Sequence, residues 1–379
     1  MLDATRSALP PVMFLGDHLG YPGGVAHGVT TYLCEVLPAL QTAGVDLAVC
    51  FLREPHAAAA RLRAAGVAPR FLGAPRLDPT VPWRVARELR ARRCGLIHAT
   101  GIKATLCARL VARETGAGVI VHVHDRNVPG PLLRRLHAAA ARPADLGVCV
   151  AGGVCDVAVG GYGLRPERLR IVPNGIALER LRALPFDARA RLRAEHGVAP
   201  GVPLLGVVGR LYPVKGQRTL IRVWPEIAAA VPGARLWMIG DGPDRAACEA
   251  DVRARGLGDQ VRFLGQRSDV PGLLAALDLL LIPSESEGLP IAAIEALAVG
   301  LPVVGFDVGG MREVIDDGGS GVLVKPGDAR AFAAAVVELL RDPARRAACR
   351  IAAAASAERF SLERHVEGLL NCYREVAGA

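Results

Sequence analysis

The chain has 379 residues, of which 51% are hydrophobic and 22% are charged. That length exceeds one ordinary domain, and the apolar content excludes wholesale disorder. Charged residues interrupt every apolar run before about 18 residues, the span of a bilayer, and no basic leader precedes the first apolar run. The nine cysteines are scattered and form no C-x-x-C pair, which favours reduced core thiols over disulfides or a zinc site. We therefore expect a cytoplasmic globular protein.

The net charge of +9 is confined to the first half of the chain. Residues 1–175 hold 21 Lys and Arg against 12 Asp and Glu, whereas residues 176–379 hold 25 of each kind. A basic half favours an acidic partner, such as a phosphate-bearing ligand, an anionic membrane face or nucleic acid. Compositional drift is the alternative, because Arg outnumbers Lys 43 to 3. No nucleic-acid-binding motif is present and aromatic residues make up only 4%, so we expect no nucleic-acid partner.

Apolar runs of strand length alternate with helical patterns along the whole chain, which predicts α/β units with a parallel sheet covered on both faces. In the first half the predicted strands lie at residues 12–15, 46–51, 96–98, 119–124 and 146–150, with helical patterns at 25–43, 82–92 and 104–115. A second series of strands is predicted at residues 204–208, 234–239, 261–264, 279–282, 302–306 and 321–324.

Proline and an Asn-Gly pair interrupt the pattern at residues 171–175, which predicts a domain boundary there. We expect two doubly wound, Rossmann-like domains, residues 1–172 and 173–360, facing across a cleft lined by the carboxyl ends of their strands. The amphipathic segment 361–379 is predicted to be one helix that crosses back to the first domain.

Several phosphate-binding and catalytic motifs are missing. The sequence has no P-loop, no G-x-G-x-x-G after the first strand, no G-x-S-x-G elbow and no H-E-x-x-H. Instead, Gly23 and Gly24 lead into the first helical pattern. Paired glycines at a helix N-terminus let backbone amides approach an anion closely, although a plain turn between strand and helix uses the same residues.

Arg210 and Lys215 follow directly after the predicted strand at 204–208. Side chains at the carboxyl end of a parallel strand face the ligand edge of the sheet, where two cations can neutralise a diphosphate. The guanidinium binds two oxygens as a fork, while the ammonium acts as a compact charge. A solvated pair of loop cations is the alternative.

Glu287 and Glu295 lie eight positions apart, in the turn and the helix that follow the predicted strand at 279–282. Pro290 suits the first helical position because it lacks an N–H group. Two carboxylates at this spacing can accept hydroxyl donors from opposite ends of one extended ligand. Alternatively, one caps the helix and the other is a helix-face charge, although Glu295 sits in an apolar stretch where an unpaired charge is costly.

These motifs resemble those of the retaining glycosyltransferases of family GT4, which have the two-domain GT-B fold. The matching segments are "IVPNGI", "VGRLYPVKG", "IGDGP", "VRFLG", "DLLLIPSESEGLPIAAIEALAVGLPVV", "VGGMREVI" and "ERFS", with a looser match at Gly23-Gly24 and at His122 to Asp125. The resemblance implies an acceptor-binding first domain and a second domain that binds a nucleotide-sugar.

The resemblance also implies residue roles. Arg210 and Lys215 would hold the donor diphosphate, Glu287 the hydroxyls of the transferred sugar and Glu295 the ribose. The donor would further contact Gly23, Gly24, Gly288 and Leu289, and His124 would contact the donor sugar and shape the transition state. His98 and Asp125 would lie on the acceptor side, while His122 is expected to pack inside its strand.

Such enzymes retain the anomeric configuration by front-face attack, in which the leaving phosphate takes the acceptor proton. The resemblance therefore implies neither a cofactor nor a metal, because Arg210 and Lys215 replace the cation. We expect a hexosyl donor, UDP-sugar first and GDP-mannose next, and a glycan, lipid-linked or small-molecule acceptor, with peripheral contact of the basic half to an anionic membrane. A nucleotide-sugar 2-epimerase of the same fold and a non-catalytic carbohydrate-binding subunit are the alternatives.

Overall fold

The computed structural model describes residues 9–20, 28–75 and 78–378. The chain forms two compact units. Unit 1 comprises residues 1–175 together with 362–379, and unit 2 comprises residues 176–361. The last helix therefore belongs to the same unit as the first strand, although the whole of unit 2 lies between them in sequence.

Unit 1 is built around a seven-stranded parallel sheet of order β3-β2-β1-β4-β5-β6-β7. Its strands are β1 (Val12–Gly16), β2 (Leu47–Phe51), β3 (Arg70–Phe71), β4 (Leu96–Thr100), β5 (Gly118–Val123), β6 (Leu146–Cys149) and β7 (Leu169–Ile171). Its described helices are α1 (Gly28–Thr42), α2 (Ala59–Ala64), α3 (Val81–Ala91), α4 (Ile102–Thr115), α5 (Pro131–Ala140), α6 (Cys155–Tyr162) and, from the chain end, α16 (Leu362–Ala377).

Unit 2 has a six-stranded parallel sheet of order β10-β9-β8-β11-β12-β13. The strands are β8 (Leu204–Val208), β9 (Arg235–Ile239), β10 (Val261–Gly265), β11 (Leu279–Ile282), β12 (Val303–Phe306) and β13 (Gly321–Val324). The helices are α7 (Leu178–Arg182), α8 (Ala188–Glu195), α9 (Gln217–Ala230), α10 (Arg245–Ala254), α11 (Val270–Ala276), α12 (Ile291–Ala298), α13 (Met311–Val314), α14 (Ala329–Arg341) and α15 (Pro343–Ser356).

Burial on both faces explains why the central strands are continuous apolar runs. Every residue of β1, β4 and β11 is buried, as parallel strands covered by helices on both sides require. In unit 2 the largest core side chains are Trp224 from α9 and Trp237 from β9, which are 0% and 1% exposed. The predicted α/β class with two parallel sheets is confirmed.

The order of the strands determines where each unit can bind a ligand. The strand order reverses between β1 and β4 in unit 1, and between β8 and β11 in unit 2. Loops at the carboxyl ends of the two central strands diverge at such a point and leave a crevice. In unit 2 these are the loops that carry Arg210, Lys215 and Glu287.

The predicted strands match the observed ones to within two residues, whereas two short edge strands were not predicted. β3 has two residues and β7 has three, too few for any alternating pattern. Helix α12 begins at Ile291, so Pro290 is its N-cap rather than its first helical residue, with an extended ψ of 107°. The prediction for Pro290 was therefore wrong by one position.

Helix α16 packs against α1 and against strands β4, β5 and β6 of unit 1. All nine cysteines are free thiols and eight of them are buried, in agreement with the predicted core thiols. Among the described residues, no helix combines the length and the apolar character needed to span a bilayer.

Candidate functional site

Two loops of unit 2 are fixed against each other at the carboxyl ends of β8 and β11. Gly216 has a φ of +70°, and a Cβ atom there would lie 1.9 Å from the carbonyl oxygen of Pro283. The N–H group of Glu285 donates to the carbonyl oxygen of Val214 at 2.8 Å. Only glycine permits both the left-handed conformation and this close approach. The contact sets the short 3-10 turn that carries Lys215 beside the loop that carries Glu287.

Lys215 and Glu287 form an ion pair at the centre of this arrangement. The Lys215 Nζ atom lies 2.7 and 2.8 Å from the two carboxylate oxygens of Glu287. Glu287 is 8% exposed, while the lysine side chain is about one-third exposed. Loss of Lys215 would leave the buried carboxylate of Glu287 without its compensating charge. The two predicted site residues thus form one electrostatic unit with a cationic side open to solvent.

Arg210 precedes the same turn, and its guanidinium stacks over the ring of Tyr212 at 4.8 Å from the ring centroid. The side-chain amide of Gln217 donates to the Arg210 carbonyl oxygen at 3.0 Å, which anchors the backbone at this point. Tyr212 is 43% exposed, so the stacked pair lies at the surface of the loop. Stacking restricts the guanidinium to a narrow range of orientations without removing its charge.

A second glycine contact positions the turn before α12. A Cβ atom on Gly309, whose φ is +55°, would lie 1.8 Å from the Glu287 carbonyl oxygen. The N–H group of Gly310 donates to the Gly288 carbonyl oxygen at 2.7 Å, while Leu289 is buried. One turn further on, Glu295 is 8% exposed on α12. Both predicted carboxylates are therefore held on a rigid, buried strand–turn–helix segment.

In unit 1, His124 and Asp125 directly follow strand β5. His124 is half-buried, and its ring stacks on that of His122 with a centroid distance of 3.9 Å. His122 is 2% exposed, as expected for a residue packed inside the strand. The carboxylate of Asp125 is exposed and accepts hydrogen bonds at 2.9 Å from the backbone and the side chain of Asn127. Asp125 thus stabilises its own turn.

His98, which was predicted to lie on the acceptor side, is buried inside unit 1. Its ring is 1% exposed and lies between His122 and Tyr373, with hydrogen bonds of 3.0 and 2.7 Å. Its strand ends two residues later, at Thr100, and every residue of that strand is buried because helices cover both faces of the sheet. The ring is enclosed by protein, and its acceptor-side role stays a prediction.

Burial keeps the inner histidines neutral. It lowers the pKa of His98 to about 3 and that of His365 to about 4, and it lowers the pKa of His122 well below its usual value. Neighbouring histidines contribute to the shifts of His98 and His122 because a second positive charge nearby disfavours protonation. The rings therefore act as neutral hydrogen-bonding groups at physiological pH.

Three further residues of this region have no local sequence signal. Tyr32 on α1 and His365 and Tyr373 on α16 hydrogen-bond to each other or to His98. Tyr32 and His365 are 333 positions apart. Gly23 and Gly24 lie outside the described residues. Within the described part of the chain, no three His, Cys, Asp or Glu side chains are grouped closely enough to hold a metal ion.

Two family models match the chain. Residues 26–180 match "Glycosyltransferase Family 4" and residues 188–356 match "Glycosyl transferases group 1". A D-inositol 3-phosphate glycosyltransferase of Nocardia farcinica is 36% identical over 56% of this chain and 48% of its own length. A 2-deoxystreptamine glucosyltransferase of Streptomyces kanamyceticus is 31% identical over 65% of this chain and 68% of its own length. The chain thus spans about half the length of the first of these relatives.

Solved structures with the same fold include two bacterial proteins. Anabaena Alr3699/HepE, solved in complex with UDP, has a TM-score of 0.81 at 24% identity, covering 95% of this chain and 98% of its own. A glycosyltransferase from Rickettsia africae has a TM-score of 0.84 at 16% identity, covering 97% and 98%. The chain belongs to glycosyltransferase family 4, and its two parallel-sheet units have the GT-B fold.

Proposed function

We propose that this protein is a retaining glycosyltransferase that moves a hexosyl group from a nucleotide-diphosphate sugar to an acceptor hydroxyl. The observation that carries the proposal is the Lys215–Glu287 ion pair at the carboxyl edge of the unit 2 sheet. The pair presents a cation for the diphosphate and a carboxylate for the sugar within one rigid segment. Family membership supports the same activity.

Arg210 and Lys215 would bind the diphosphate and stabilise the negative charge that grows as the nucleoside diphosphate leaves. Fixed cations are most effective when they need no reorganisation during the reaction. The stacking of Arg210 on Tyr212 and the pairing of Lys215 with Glu287 supply that order. We expect the reaction to need no metal, because these two side chains carry the countercharge.

Glu287 would accept hydrogen bonds from hydroxyls of the transferred sugar, with the backbone of Gly288 and Leu289 beside it. The Lys215 ammonium holds both carboxylate oxygens, so the carboxylate stays oriented before the donor arrives. Glu295, which lies one turn into helix α12, would accept hydrogen bonds from the ribose hydroxyls. Each hydrogen bond to a charged group contributes about 1.5–3 kcal/mol, enough to select a hydroxyl-bearing donor.

In the proposed front-face step the bond between the anomeric carbon and the leaving phosphate oxygen breaks, and the acceptor oxygen attacks from the same side. The leaving phosphate takes the proton of the acceptor hydroxyl, so no separate base is required. His124 would contact the donor sugar from unit 1, where Gly23 and Gly24 would also approach the donor. The His124 imidazole would act there as a hydrogen-bonding group.

We favour a UDP-sugar donor over GDP-mannose, because a protein of the same fold was solved with UDP and also with UDP-glucose. The names of two relatives contain inositol phosphate and 2-deoxystreptamine, which are both hydroxyl-rich six-membered carbocycles. We therefore place a small cyclitol ahead of a glycan or lipid-linked acceptor.

We also propose that unit 1 contacts anionic membranes peripherally through helix α5 (Pro131–Ala140). Leu132 and Leu136 are 71% and 43% exposed on this helix, one turn apart. Arg134 and Arg135 are exposed beside them. Exposed leucines next to arginines suit the boundary between headgroups and acyl chains, where apolar burial and charge attraction add together.

A donor panel tests the transferase proposal. Thermal shift and nucleoside diphosphate release are measured with UDP-, GDP- and ADP-sugars, each with and without EDTA. We expect the protein to be stabilised by the sugar donor of one nucleotide and to hydrolyse that donor slowly in EDTA. The hydrolysis rate should fall about 10- to 100-fold in Glu287→Gln and stay unchanged in Glu285→Gln. Glu285 is exposed in the same loop, so it is a matched control. No response to any donor would refute the proposal.

A further inference from the structure

Unit 1 contains a cluster of six aromatic side chains, most of which the proposed mechanism does not use. We call it the histidine cluster; its members are His98, His122, His124, His365, Tyr32 and Tyr373. They come from β4, from β5 and the residue after it, from α1 and from α16. All but the half-buried His124 are at most 2% exposed. The cluster reaches His124 by two routes, and both begin on α16.

The first route runs through His365. Its Nδ1 atom lies 2.6 Å from the carbonyl oxygen of Pro173, and its Nε2 atom lies 2.7 Å from the hydroxyl of Tyr32. A carbonyl oxygen only accepts, so Nδ1 carries the proton and Nε2 accepts from the Tyr32 hydroxyl. The tyrosine ring is thereby held in an edge-to-face contact with the His124 ring, at a centroid distance of 4.9 Å and an interplanar angle of 65°.

The second route runs through Tyr373. Its hydroxyl lies 2.7 Å from His98 Nδ1, and His98 Nε2 lies 3.0 Å from His122 Nδ1. The fewest unsatisfied atoms result when Tyr373 donates to His98 and His98 donates to His122. The remaining His122 Nε2 atom is buried and has no hydrogen-bond partner in the part of the chain that the structure describes.

The two routes meet on the ring of His124. His122 stacks on one face at 3.9 Å with an angle of 29°, while Tyr32 packs against the ring at a steeper angle. Rings that are themselves held by hydrogen bonds leave His124 little freedom to tilt. A side chain at a reacting centre must be held to within about 0.5 Å and 10–20° of its productive geometry.

We infer that His365 and Tyr373 are positioning residues: helix α16 fixes the plane of His124 through Tyr32 on one side and through His98 and His122 on the other. The inference rests on the proposed function, in which His124 contacts the donor sugar. Helix α16 would thus help to orient a side chain that contacts the substrate, although no residue of α16 would touch the substrate itself.

The variants Tyr373→Phe and Tyr32→Phe test this with minimal change in core volume, because each removes a single oxygen atom. We expect each to lower kcat for donor hydrolysis about tenfold while the donor KM stays within about twofold, since small misplacements at a reacting centre reduce turnover. Tyr162→Phe is the matched control, since Tyr162 is a buried tyrosine of the same unit outside the cluster. It should keep full activity.

A double-mutant cycle separates positioning from general destabilisation. In a His124→Ala background, Tyr373→Phe should cause no further loss, because the residue on which it acts is gone. An equal loss in the presence and in the absence of His124 would overturn the inference. So would full activity of both single Phe variants.

A readout without catalysis keeps the two proposals distinguishable. Imidazole nitrogen NMR of histidine-labelled protein, with the His124 signals assigned by their loss in His124→Ala, should show those signals shifted in Tyr373→Phe and unchanged in Tyr162→Phe. If the wild type hydrolyses and transfers no donor sugar, the proposed function fails, and the spectra still report on the position of the ring. His124 signals that stay in place in both Tyr32→Phe and Tyr373→Phe would overturn the inference.

Discussion

Acidification should unfold unit 1 before unit 2, because unit 1 holds eight of the nine histidines. Burial lowers the pKa of His98 to about 3 and those of His137 and His365 to about 4. An unfolded histidine takes up its proton near a pKa of about 6.5. Between these values the unfolded chain binds more protons than the folded protein, so the free energy of unfolding falls as the pH falls below about 6.5.

At pH 5 each of these histidines lies about 1.5 pH units below its unfolded pKa, which amounts to about 2 kcal/mol. Three such groups lower the free energy of unfolding of unit 1 by about 6 kcal/mol, within the roughly 5–15 kcal/mol of an ordinary domain. Burial also raises the pKa of Asp17, which opposes the effect because a raised carboxyl pKa favours the folded state as the pH falls. One carboxyl group against three histidines leaves a net loss.

The assay is urea unfolding at pH 7.5, 6.0 and 5.0 in a Trp83→Phe background. The remaining tryptophans, Trp224 and Trp237, are buried in unit 2, so fluorescence follows that unit while far-UV circular dichroism follows both. We expect the dichroism to gain an early transition at pH 5 that the fluorescence lacks. A unit 1 midpoint that stays constant or rises from pH 7.5 to pH 5.0 would refute the reasoning.

Three further predictions concern the candidate donor site of unit 2 and the exposed face of helix α5. Glu287→Gln should lower the rate of sugar transfer about 10- to 100-fold, because a hydrogen bond to a charged group contributes about 1.5–3 kcal/mol and about 1.4 kcal/mol corresponds to a factor of ten. Glu285→Gln should leave the rate unchanged in steady-state kinetics. Gly216→Ala should destabilise unit 2 by about 3 kcal/mol or more, because the added Cβ meets a backbone carbonyl oxygen at 1.9 Å. Gly327→Ala, at a φ of +80° with open space around it, should cost only about 1 kcal/mol, and equal losses of the two in chemical denaturation would contradict the loop contact. Binding to vesicles of anionic lipid should weaken in Leu132→Ser and with added salt, and sedimentation that is insensitive to both would remove the membrane proposal.

Sequence patterns were sufficient for the two parallel sheets, because the central strands are buried on both faces and are written as continuous apolar runs. They also identified Lys215 and Glu287, which lie in loops directly after such strands. Their pairing was beyond local inspection: the two residues are 72 positions apart and meet only because β8 and β11 are neighbours in the sheet. Gly216 and Gly309 then let neighbouring loops approach more closely than a Cβ atom would permit, and local sequence patterns do not show which backbone atoms they will meet.

The surroundings of His124 depended on the tertiary structure to a greater degree. A histidine near a strand end can face a ligand or the interior, and the sequence does not say which; His98 proved to be interior. One of the two hydrogen-bond partners of His98, Tyr373, comes from the last helix. The predicted return of that helix to the first domain did not say which side chains it would bring there. Local periodicity is encoded by neighbouring residues, whereas hydrogen bonds across 275 and 333 positions exist only once the chain has returned to its first unit.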